Sequence, residues 1–65
     1  MLKDDILLLF PQYAGRDREL EFLHRVAKSR EGIRNTVQLV LEAQNIGRDD
    51  YEGLIDMAKF MQLTI

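Results

Sequence analysis

Sixty-five residues leave room for one domain, and a chain this short buries only about 60% of its unfolded surface, so its stability rests on well-packed helices or on self-association. With no cysteine and one histidine, His24, the chain has no disulfide, no thiolate metal site and no multi-histidine cage of its own. The apolar content of 46% is that of a folded protein, and the net charge of −2 weighs against a dedicated nucleic-acid binder.

The first element is expected at about residues 3–10. Its second half, Ile6-Leu7-Leu8-Leu9-Phe10, is apolar on every side, so such a helix is buried whole or pressed against a partner. The run is too short for a membrane span, which needs about 20 apolar residues. It follows Asp4 and Asp5 rather than the basic start of a signal peptide. No membrane association is therefore expected, and the lack of cysteine suits a reducing cytoplasm. Pro11 ends the run, because the residue before proline is pushed out of the helical region. Residues 11–15 read as a connector closed by Gly15.

The second helix is expected at about 16–28. Leu20, Phe22, Leu23, Val26 and Ala27 fill one arc of about 160°, with charged residues opposite. Glu21 and Arg25 form a favourable i,i+4 pair. The third helix is expected at about 30–46, with Ser29 as its cap. Its apolar arc is wider, about 200°, and holds Ile33, Val37, Leu39, Val40, Leu41 and Ala43. That width predicts the most buried helix of the fold. Thr36 and Gln44 fall inside the arc. In an apolar seam such polar residues fix register and partner number; in a monomer they hydrogen-bond to backbone.

Gly47 reads as a helix C-terminal glycine, and Asp49 or Asp50 as the N-cap of a fourth helix at about 49–62. There Tyr51, Leu54, Ile55, Met57, Ala58 and Met61 face one way, and Glu52, Asp56 and Lys59 the other. Phe60 lies about 180° from Tyr51, off the stripe. The predicted fold is all-α: a compact bundle of three main helices plus a short N-terminal one, in a single domain.

No catalytic constellation is present. Ser29 has no base with a defined role and no Gly-x-Ser-x-Gly turn, and no phosphate-binding glycine loop occurs. Glu21-x-x-His24 matches half of a di-iron bundle motif, which needs a second copy and further glutamates. The plainer reading is a solvent-facing histidine on a charged face. Neither an enzyme, a small-molecule substrate, a metal nor another cofactor is expected.

Two surfaces carry functional expectations. Residues 16–34 hold six Arg or Lys against four acidic residues, a balance of +2, whereas residues 35–65 hold two against five, a balance of −3. Arg18, Arg25 and Lys28 form a basic face suited to phosphates or an acidic partner. Ala43, Gly47 and a following helix resemble the turn of a helix-turn-helix. The acidic start and face of that last helix oppose a DNA-reading role.

The second surface is apolar. Three amphipathic helices bury one another's stripes and leave Leu7, Leu8, Leu9, Phe60, Leu63 and Ile65 in surplus. Clustered apolar residues of this kind mark contact surfaces, against the alternative that the first helix plugs the bundle with Phe60 beneath it. The leading expectation is a non-enzymatic protein–protein interaction or regulatory module that self-associates as a homodimer. The alternatives are a small nucleic-acid-binding regulator using the basic face, and a helical inhibitor presenting its acidic half to a larger protein.

Overall fold

The computed structural model describes residues 2–30 and 32–63. In chain order they form α1 (Lys3–Leu9), a 3₁₀ turn (Pro11–Tyr13), α2 (Asp17–Ala27), α3 (Gly32–Asn45) and α4 (Tyr51–Phe60), with no strand among them. The all-α expectation holds, and the helices are one to four residues shorter than their periodicity suggests, because the end residues are spent on caps.

In α1 the Asp5 carboxylate reaches back to accept from the Leu2 N–H at 3.0 Å. Asp4 and Asp5 also oppose the positive end of the helix. Phe10 leaves the helical region at φ −133°, as a residue before proline does, and its N–H still donates to the Ile6 carbonyl at 2.8 Å. Pro11 then opens the 3₁₀ turn, where a missing N–H is no loss.

That turn delivers Tyr13 to the interior with no exposed surface. Its hydroxyl donates to the Asp49 carbonyl at 2.9 Å, tying the N-terminal turn to the loop before α4. The segment expected to be a mere connector therefore supplies one of the largest core residues. Burial, with the nearby Asp49 charge adding to it, pushes the phenol up to about 12.

The buried side chains of α2 are Leu20, Phe22, Leu23, Val26 and Ala27, the same five as the sequence arc. α3 departs from its expectation. Its buried residues are Gly32, Thr36, Leu39, Val40 and Ala43, while Ile33 and Leu41 stand 56% and 54% exposed. Among the described elements the helix packs against α2 and α4 only, and two neighbours cover about half of the 200° arc. Thr36 lies inside, with its hydroxyl donating to the Gly32 carbonyl of its own helix at 2.7 Å. Gln44 is exposed.

The turns explain the punctuation. Ser29, expected to cap the third helix, directs its hydroxyl backward to the Val26 carbonyl at 2.7 Å. Gly32 sits so close to the end of α2 that an added Cβ falls 2.0 Å from the Ala27 carbonyl oxygen. At the end of α3, Gly47 adopts φ +71°. Its N–H donates to the Gln44 carbonyl at 3.0 Å, and the Arg48 N–H donates to the Ala43 carbonyl at 2.8 Å. This is the two-bond Schellman closure. Asp50, one of the two expected caps, accepts from the Gly53 N–H at 3.0 Å.

α4 ends by the same closure. The Gln62 N–H donates to the Lys59 carbonyl and the Leu63 N–H to the Ala58 carbonyl, both at 3.0 Å. Here the left-handed residue is Gln62, at φ +59°. Leu63 is consequently folded back against the core.

Candidate functional site

Part of the basic segment is engaged within the fold. The Arg16 guanidinium bonds Glu19 at 2.7 Å and stands over the Tyr13 ring. Arg18 lies over the Tyr51 ring at 4.1 Å, a cation–π contact joining α2 to the start of α4. Phe22 meets the same ring edge-on with centroids 6.1 Å apart. Glu21, expected to pair with Arg25, instead pairs with Lys3 of α1. The hydrogen bond from Lys3 and its charge hold the Glu21 carboxyl below the usual range, with a smaller contribution from Arg25.

Together Asp17, Arg18, Glu21, Phe22, Arg25 and Tyr51 line an open groove of about 320 Å³. It brings Arg18 and Arg25 onto one aromatic-floored surface, as their seven-residue spacing on α2 requires. Lys28 is exposed at the C-cap of α2 and is not among the groove's lining residues. The groove offers two guanidiniums, two carboxylates and two rings, an arrangement that binds charged or planar groups but contains no paired nucleophile and base. The Glu21 carboxylate of the Glu-x-x-His pattern is taken by Lys3, and His24 is half-buried. Among the described residues no three His, Cys, Asp or Glu side chains are placed to hold a metal ion.

The apolar surplus divides. Leu8 and Phe60 are each 82% exposed, and Leu9 is exposed beside Leu8. Leu7 is half-buried and packs against the core, as Leu63 does in the closure of α4. Ile65 lies outside the described residues. Phe60 does not pack under α1. It stands at one end of a second groove, of about 330 Å³, lined by Ile46, Gly53, Asp56, Met57 and Phe60. Arg48 bonds Asp56 at 3.1 Å at its edge.

Ile46, Ile33 and Leu41 add to the exposed apolar surface and were missed as surface by pattern alone. On the helical wheel Ile33, Val37 and Leu41 adjoin Val40 and Ile46 adjoins Leu39, so angle alone does not mark them as surface. Tyr13 and Tyr51 were likewise not singled out for the contacts they make. The helix-turn-helix elements are present as a buried Ala43 and the Gly47 turn, but the exposed face of α4 still carries Glu52, Asp56 and Lys59. No helix of the described residues is long and apolar enough to cross a membrane.

Comparison with known sequence families, with curated proteins and with solved structures finds no match to this chain.

Proposed function

We propose that this protein is a non-enzymatic interaction module of regulatory type that works in the cytoplasm and self-associates through apolar faces of its helices. The observation that carries this reading is Phe60: 82% exposed on a helix whose inward positions are already filled, beside a groove that continues through Met57 and Ile46. An isolated exposed leucine is ordinary, whereas an aromatic side chain projecting beside an apolar groove is the usual anchor of a contact surface. The fold is also small for a substrate pocket, and both grooves are open to solvent.

Sedimentation or light scattering from low to high micromolar concentration tests the reading directly. The native chain is expected to gain mass with concentration. Phe60→Ser is expected to weaken that gain while keeping full helical content by circular dichroism. A native chain that stays monomeric throughout rejects self-association.

A second reading rests on the Arg18–Arg25 groove, where guanidiniums flank two aromatic rings as in surfaces that stack nucleic-acid bases. It requires affinity that falls with salt by roughly 0.9 log units per log unit for each phosphate contact to a duplex. The acidic Asp17 and Glu21 in the same groove weigh against it. Absence of binding to single strands and duplexes at low salt removes it.

A further inference from the structure

The exposed face of α4 carries a depression and a projection side by side. Gly53 is buried, with the Arg48 carbonyl oxygen where its side chain would stand; the groove runs past it between Ile46 and Met57, and Phe60 stands seven residues further along the helix. Seven residues of α-helix span about 10.5 Å. Asp56 lies between the two and is held by Arg48. Along the solvent-side border of this face run Glu52 and Lys59, again seven residues apart, both exposed and neither ion-paired with any described residue.

We propose that this face is covered by the same face of a second copy, with the two α4 helices antiparallel about a two-fold axis passing between Asp56 and Met57. A surface that holds its own knob and its own hole, equally spaced from one centre, is the form an isologous contact takes. In that pairing Phe60 of each copy enters the other's groove at the level of Gly53, against Ile46 and Met57. Glu52 comes within two residues, about 3 Å along the axis, of the level of the other copy's Lys59, a gap a lysine side chain spans. The attraction occurs twice by symmetry. The two Asp56 carboxylates meet near the axis, each carrying its Arg48, so four charges of balanced sign gather there. Shape and charge both match α4 to itself, which selects a second copy over a foreign partner.

The pairing rests on the self-association proposed above, and it is weak. A stable interface buries about 800 Å² per partner, close to a fifth of the 4403 Å² this protein exposes, and a ten-residue helix alone supplies less.

Sedimentation equilibrium on charge-reversed variants tests it. Glu52→Lys and Lys59→Glu, each alone, place like charges opposite one another and are expected to raise the dimer dissociation constant roughly fivefold. The double variant E52K/K59E has the native net charge and is expected to return to within about twofold of the native value. An equimolar mixture of the two single variants is expected to associate more tightly than either alone. A double variant as weak as the singles overturns the pairing. A native chain that associates but ignores all three changes also overturns it, while leaving self-association through another face standing. A strictly monomeric native chain overturns both.

Discussion

Tyr13→Phe removes one oxygen atom from the centre of the molecule. The ring keeps its fully buried position, so no cavity opens; the loss is the hydrogen bond donated to the Asp49 carbonyl at 2.9 Å. A net hydrogen bond contributes about 0.5–1.5 kcal/mol, and an acceptor left buried without a donor adds more. Asp49 is only partly buried, so water recovers part of that loss. The expected destabilisation is therefore about 1 kcal/mol, which for a domain of this size lowers the melting temperature by roughly 4–8 °C.

Thermal and urea melts followed by circular dichroism measure the Tyr13→Phe effect, and Tyr13→Ala supplies the contrast. Deleting a buried ring costs about 3–5 kcal/mol, as much as a core of this size supplies, so Tyr13→Ala is expected to be unfolded. The pH dependence carries the same logic. Folding favours the protonated phenol, whose pKa rises from 10.0 to about 12, so its stability contribution is complete below pH 10 and is lost as pH rises through 12. Tyr13→Phe abolishes that alkaline loss. A Tyr13→Phe variant indistinguishable from native in melts, or a Tyr13→Ala variant that folds normally, refutes the role given to this side chain.

Gln62→Gly is expected to stabilise the protein by about 0.5–1 kcal/mol, since glycine adopts the positive φ that Gln62 holds at a cost; an unchanged urea midpoint contradicts this. Gly32→Ala, whose Cβ meets the Ala27 carbonyl oxygen at 2.0 Å, is expected to cost about 2 kcal/mol by forcing α2 and α3 apart, seen as a lower melting temperature. Asp50→Ala removes the side-chain acceptor of the Gly53 N–H and is expected to cost about 1 kcal/mol, with faster amide exchange at the start of α4 as the local readout.

Local signals were legible where a single element decides them. The five buried residues of α2 follow from its 3.6-residue period, because one face of an amphipathic helix has no alternative but the core. The stops at Pro11 and Gly47 and the cap at Asp50 are properties of one residue's backbone or side chain. The projection of Phe60 off its stripe was equally readable, since it depends on angle alone.

The tertiary structure decided what depends on how many neighbours an element meets. The wide apolar arc of α3 gave no hint that two helices cover only part of it, leaving Ile33 and Leu41 outside. Leu63 looked surplus until the chain reversal at Gln62 folded it back. Tyr13 looked like a connector residue until the 3₁₀ turn aimed it at a carbonyl 36 positions away. On the basic face Arg16 is taken by Glu19 and Arg18 lies over Tyr51, while the α1–α2 contact gives Glu21 to Lys3 rather than to Arg25. Periodicity records which side of an element is apolar. Burial depends on which surfaces meet, and that is settled only when every helix competes for the same small core.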